Sequence, residues 1–274
     1  MRELTRSLRS AGSHVPNREA GWIVDAAVDG IGTKVGPTEE LDDGVVRLAE
    51  ELAERRRAGE PLQYVTGVAG FRHLDLSVGP GVMVPRPETE LLAGKAMEVL
   101  PADGLVVDVG TGSGAIALSI AQERPDATVI ATDASVSAAR WARRNIDSLG
   151  LPVRLIACDL FSALADALRG RVQVVVANPP YVAAHDAGTL PPEVIDHEPH
   201  RSLFAGADGT EVLRRLVAEG PDWLAPAGWM VLEIGMSQGD LTRELLSDRG
   251  FTDVSVERDL TGRERIASGR WQSG

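Results

Sequence analysis

The chain has 274 residues, of which 43% are hydrophobic and 25% charged, the make-up of a globular protein and not of a disordered or fibrous one. A net charge of -12 argues against a protein that grips nucleic acid chiefly through phosphates, because that mode needs clustered Lys and Arg. One cysteine, Cys158, excludes an intrachain disulfide and a cysteine-based zinc site; with no run approaching the ~20 apolar residues that span a bilayer, a cytoplasmic location off the membrane is expected.

Residues 1–60 read as helical and carry no recognisable chemistry. Glu19 to Val28 places Trp22, Ile23 and Ala26 at helical spacing. Further on, Thr38 after Pro37 is the expected N-cap of a helix whose apolar residues are Leu41, Val45, Leu48 and Leu52, ending in Arg55, Arg56 and Arg57 before Gly59. Such a small bundle serves either as a structural cap or as a docking unit for a partner, and both readings stay open here. Residues 61–90 change to Gly- and Pro-rich punctuation around the alternating run Phe71 to Val78, which predicts a hairpin linker.

From Leu105 onward apolar strands alternate with amphipathic helices, so the sheet should be parallel and covered on both faces. The predicted strands are 105–109, 128–132, 153–157, 172–177, 228–234, 254–258 and 265–269. Only Arg258 to Gly262 separates the last two, which should form an antiparallel hairpin at the sheet edge. The expected organisation is a helical domain over 1–60, a linker over 61–90 and an α/β domain over 91–274 with a seven-stranded, mostly parallel sheet.

Ligands of open parallel sheets sit beyond the carboxyl ends of strands, where glycine lets the backbone come close. Here the first strand runs into Gly110-Thr111-Gly112-Ser113-Gly114, a G-x-G-x-G loop distinct from the G-x-G-x-x-G of dinucleotide sites and from a P-loop. Asp133 closes the second strand and can accept both hydroxyls of a ribose; its competing reading is the N-cap of the helix that starts near Ser135. Asp159, closing the third strand, could accept an adenine amino group. Cys158 before it has no activating base nearby and reads as packing.

After the fourth strand stands Asn178-Pro179-Pro180-Tyr181. Two consecutive prolines stiffen the turn, and the first removes a backbone donor. A planar NH2 is a poor nucleophile because its lone pair is delocalised. If the Asn178 side-chain carbonyl and the Pro179 backbone carbonyl each accept one N–H, that nitrogen is aimed at a methyl donor and gains negative character, worth several kcal/mol without a strong base. Pro180 stiffens the same substrate-holding turn, and Tyr181 is expected to pack on the flat face of the substrate.

These motifs, with Glu60-Pro61-Leu62-Gln63-Tyr64, Gly67, Phe71, Val84-Pro85-Arg86-Pro87-Glu88-Thr89-Glu90, Pro192-Glu193-Val194, Glu198-Pro199, Gly206-Ala207-Asp208-Gly209 and Asp259-Leu260-Thr261-Gly262-Arg263, resemble the HemK/PrmC family of N5-glutamine methyltransferases over about residues 60–271. The resemblance implies a Rossmann-like class I fold, S-adenosyl-L-methionine as cofactor, and the glutamine of the Gly-Gly-Gln tripeptide of class I release factors as substrate. It implies Gly110, Thr111, Gly112, Ser113, Gly114, Asp133, Asp159, Leu160 and Asn178 around the cofactor, and Asn178, Pro179, Pro180 and Tyr181 around the glutamine. Some members carry tryptophan at the position of Leu160, so Phe161 is the aromatic expected to stack on adenine instead.

Two rivals share the chemistry: an adenine-N6 methyltransferase on DNA or RNA, which must also hold a phosphate backbone, and a glutamine methyltransferase acting on a ribosomal protein. The acidic balance disfavours stable nucleic-acid binding. His185, Asp186, Asp196, His197 and His200 cluster after the tetrapeptide, but without the spacing of a zinc motif, so no bound metal is expected.

Overall fold

Burial of one stripe on most helices and of the central strands of a sheet organises the chain, seen here in a computed structural model that describes residues 2–32 and 41–272. Helices α1 (Arg2–Ser10), α2 (Pro16–Ile31) and α3 (Asp43–Arg57) close on a small core of Leu8, Ile23, Val45 and Leu52. Short α4 (Leu62–Thr66) adds Val65 to that core. Trp22, expected on the apolar stripe, instead stands at the surface. Thr38 lies outside the described residues. The cap of α3 is Asp42, whose side chain accepts from the Gly44 amide at 2.7 Å.

β1 (Val68–Phe71) and β2 (Leu74–Ser77) form the expected antiparallel hairpin, turned by Arg72-His73. The Arg72 guanidinium grips Glu123 with two bonds of 2.6 and 2.7 Å, which seats the hairpin against the main body. That body comprises α5 (Thr89–Val99), β3 (Leu105–Val109), α6 (Ala115–Glu123), β4 (Thr128–Asp133), α7 (Val136–Leu149), β5 (Val153–Ala157), β6 (Val172–Ala177), α8 (Pro192–His197), α9 (Glu211–Glu219), β7 (Leu224–Glu233), α10 (Gly239–Arg249), β8 (Phe251–Arg258) and β9 (Glu264–Trp271).

The seven strands take the order β5-β4-β3-β6-β7-β9-β8, parallel except for β9, which runs antiparallel to both neighbours. Side chains of α5, α6 and α7 cover one face and those of α9 and α10 the other. The edge hairpin is as expected. β7 starts earlier than its apolar pattern predicts, because the sheet tolerates an irregularity at Pro226 to Gly228: pairing passes from Val172–Leu224 directly to Val174–Trp229. β3 lies between β4 and β6, so the chain order reverses there, and the crevice opens at the carboxyl ends of these strands.

Candidate active site

A cleft occupies this reversal point, lined at one end by Gly110 to Ser113 and at the other by Asn178, Pro179 and Pro180. Gly110, Gly112 and Gly114 take φ of 76°, 60° and 89°, in a region that residues with a Cβ rarely enter. Beneath the loop, Asp108 Oδ2 accepts from the Thr111 hydroxyl at 2.5 Å and from the Ala117 amide at 3.1 Å, tying loop to helix. Asp108 is fully buried, and desolvation pushes its carboxyl up to about 7.

Asp133 reaches the cleft from the end of β4. Its Oδ2 accepts from the Gly112 amide at 2.9 Å and its Oδ1 from the Ser135 amide at 2.7 Å. It is not the cap of α7; that role belongs to Ser135, which accepts from the Ala138 amide. A carboxylate oxygen has two lone pairs, so each oxygen of Asp133 keeps one acceptor direction beyond these bonds. Two acceptors on one rigid carboxylate, beside an apolar lining that includes Val82, Ile116 and Leu160, fit a nucleoside with a free cis-diol. Burial nevertheless holds the Asp133 pKa above its ordinary value.

Asp159 and Leu160 line the far wall. The Asp159 carboxylate pairs with Arg215 on α9 at 2.8 and 3.3 Å, a partner that no sequence signal indicated. Leu160 takes φ of 47°, an uncommon conformation for a branched residue, and it sits against the cleft. Phe161 does not reach the cleft as expected. It is buried beneath, stacked on Trp223 with ring centroids 5.9 Å apart, because the turn at Leu160 sends the next side chain into the core. Cys158 is half-buried and lines the cleft, its thiol against the Leu160 carbonyl.

At the other end of the cleft, Asn178 Nδ2 donates to the Thr89 hydroxyl at 3.1 Å, and that hydroxyl donates to Glu233 at 2.7 Å. The Tyr181 carbonyl accepts from Gln238, which also bonds the Gly209 carbonyl. A Cβ at Gly209 would stand 2.4 Å from the Tyr181 carbonyl, so the 206–209 loop can back the tetrapeptide only with glycine there. Tyr181 is half-buried and, unlike Asn178, Pro179 and Pro180, is not part of the cleft lining. Arg265 is buried against Asp259 and the Ile234 carbonyl, a structural position, whereas Arg263 is exposed.

Comparison with known proteins adds the decisive observation. A release factor glutamine methyltransferase of Geobacter sulfurreducens is 35% identical over 254 residues, covering 92% of this chain and 88% of that protein. One of Pseudomonas aeruginosa is 46% identical over 224 residues, covering 81% and 80%. The chain belongs to the release factor glutamine methyltransferase family. Family models described as PrmC N-terminal domain and Methyltransferase small domain match residues 1–67 and 87–206. A methyltransferase structure from Pyrococcus furiosus, 20% identical and covering 83% of this chain and 99% of its own, shares the fold with a TM-score of 0.56.

Several further residues gather around the site. Arg201 and Ser202 close over the cleft from the loop after α8, and Arg201 offsets part of the burial of Asp133. Arg86 holds Glu198 at 2.5 Å, and Arg56 of α3 bridges Glu19 at 3.3 Å and Glu193 on α8 at 2.8 Å. The N-terminal helices are thereby tied to the segment that follows the tetrapeptide. His185 and His200 each lie against a backbone carbonyl, those of Ala207 and Ile195. Among the described residues, no three His, Cys, Asp or Glu side chains converge as a metal-holding group.

Proposed function

We propose that this enzyme transfers the methyl group of S-adenosyl-L-methionine to the side-chain amide nitrogen, N5, of the glutamine in the Gly-Gly-Gln motif of class I release factors. The observation that carries the reading is the juxtaposition of Asn178 and Pro179 with the Gly110–Gly114 loop and Asp133 around one cleft. When bound, the cofactor supplies a methyl on a sulfonium sulfur, an electrophile that needs no further activation. Asp133 holds the ribose diol, the glycine loop lets the backbone approach, and Asp159 with Leu160 bounds the adenine side. At the other end, the Asn178 carbonyl and the Pro179 carbonyl accept the two N–H groups of the substrate amide. Each bond draws positive charge away from the nitrogen as it attacks and fixes its direction, which lowers the barrier through orientation and electrostatics. Pro180 stiffens the turn, and Tyr181, behind the lining, anchors it through its carbonyl on Gln238.

The chain is read as three units: helices over 1–60, a linker over 61–90 and the methyltransferase domain over 91–274. The separate core of α1 to α3 supports this division. The net charge of -12 supports a protein substrate over stable binding to nucleic acid. No described helix is long and apolar enough to cross a membrane, and a cytoplasmic location fits a substrate that acts in translation.

The test is transfer of labelled methyl to purified release factor, beside its Gln→Ala variant and an adenine-containing oligonucleotide. Label on the native factor alone is expected. Label on the oligonucleotide moves the assignment to nucleic acid, and silence from all three acceptors moves it to a ribosomal protein.

A further inference from the structure

We propose that Thr89 and Glu233 are positioning residues that hold the Asn178 side-chain amide with its oxygen, and not its nitrogen, toward the substrate. The proposal deepens the glutamine-methylation reading and rests on it. An Asn amide has an acceptor on one arm and a donor on the other, and a rotation of 180° exchanges them. In the productive orientation the Asn178 carbonyl accepts from the substrate NH2. In the flipped one, two NH2 groups face each other, and the substrate nitrogen is repelled.

Three residues from distant parts of the chain decide between these. Glu233, at the end of β7 and 1% exposed, accepts when ionised and cannot donate. It takes the single hydroxyl proton of Thr89 at 2.7 Å, leaving the Thr89 oxygen as an acceptor. That oxygen receives Asn178 Nδ2 at 3.1 Å, so the amide nitrogen is spent and the carbonyl remains for the substrate. A purely structural role explains the pair poorly. Thr89 opens α5, yet that helix has no side-chain cap bond, so its hydroxyl is not needed there. A buried carboxylate that only filled space would be destabilising compared with an apolar residue.

Protonation of Glu233 reverses the relay: the carboxyl O–H donates to Thr89, whose own proton is then free to attract the Asn178 carbonyl. The groups facing Glu233 are Thr89 on α5, Glu88 and Arg86 in the preceding linker, Arg265 on β9 and the Tyr181 phenol. Burial is the largest influence and raises the carboxyl to about 7; Arg265 and Arg86 oppose it, and Glu88 adds to it. Since the ionised form is the productive one, the rate falls as the pH drops through about 7.

The experiment uses the full chain with Thr89→Val, Thr89→Ser and Glu233→Gln. Thr89→Val is expected to lower kcat roughly 10- to 100-fold, with KM for release factor and cofactor Kd within about twofold. Thr89→Ser restores most of the rate, and Glu233→Gln removes the acid limb of the kcat profile. Independently of any substrate, the Asn178 side-chain amide is followed by 15N NMR, assigned through Asn178→Ala. Its signals should titrate with a midpoint near 7 in the wild type and not in Thr89→Val or Glu233→Gln. A Thr89→Val enzyme with full kcat, a loss that serine does not recover, an acid limb that survives Glu233→Gln or an amide signal indifferent to pH overturns the relay. If the amide titrates as expected while wild-type enzyme leaves release factor unmodified, the relay stands and the substrate reading falls.

Discussion

The two ends of the cleft are built from the chain in opposite ways. At the glycine-loop end, Asp108, Thr111, Gly112, Asp133 and Ser135 are near neighbours, and the bonds among them span at most 21 residues. Two strand ends and one turn suffice to assemble them. At the other end, Asn178 meets Thr89 across 89 residues, and Thr89 meets Glu233 across 144. A local motif can preorganise a loop, but a side-chain amide whose two arms must be told apart needs partners brought in by the fold.

The comparison can be tested by breaking each end. Asn178→Ala removes the acceptor for the substrate N–H and should lower kcat roughly 10²–10³-fold, while calorimetry finds cofactor affinity within about twofold. Equal losses in both measurements would mean that the two ends are not separable. Asp133→Ala should do the reverse, weakening cofactor binding by about 1.5 to 3 kcal/mol, the scale of a hydrogen bond to a charged group, with much of kcat regained at saturating cofactor. Unchanged affinity rejects the ribose role.

A smaller effect is expected from Arg86→Ala. Glu198 has one buried oxygen without a partner and the other on Arg86, so deletion of the guanidinium leaves a buried carboxyl uncompensated. A loss of about 2 kcal/mol in denaturant unfolding is expected, less than for a wholly buried pair because Arg86 is partly exposed. Glu198→Gln should cost less, since the amide carries no charge to strand.

A last effect concerns pH. Burial raises both Asp108 and Glu233 to about 7, above their values in an unfolded chain. Each therefore binds its proton more tightly when folded: the stabilisation is present below the ordinary carboxylate range and is lost as pH rises through about 7. Between roughly pH 5 and 7 each group should contribute a slope of about 1 kcal/mol per pH unit. Glu233→Gln should flatten the measured slope by its share and leave that of Asp108; an unaltered slope contradicts the raised value.

Much of this was legible before any coordinates. Strands β3, β5 and β6 have the predicted bounds, because each is a short, mostly apolar run between residues that break the pattern. The glycine loop and the tetrapeptide were visible because backbone geometry itself requires glycine and proline there. Other features were not. β7 was read too short because Pro226 and Gly228 imitate a turn, and only pairing to β6 carries the strand past them. Adjacency to Leu160 suggests the cleft for Phe161 but says nothing of direction; the left-handed turn at Leu160 points it at Trp223. Trp22 fits a helical stripe, but its neighbours on α2 take the buried face.

What the sequence determined by itself is the chemistry available: a parallel α/β sheet with its crevice, a close-approach loop, a carboxylate closing the second strand and an asparagine ahead of two prolines. These follow from periodicity and from residues whose backbone constraints act locally. The tertiary structure alone decided which polar groups face one another: Arg215 on Asp159, and Thr89 between Asn178 and Glu233. Hydrogen bonds and charges act over a few ångströms of space, and separations of 56, 89 and 144 residues vanish only when the sheet and its helices pack.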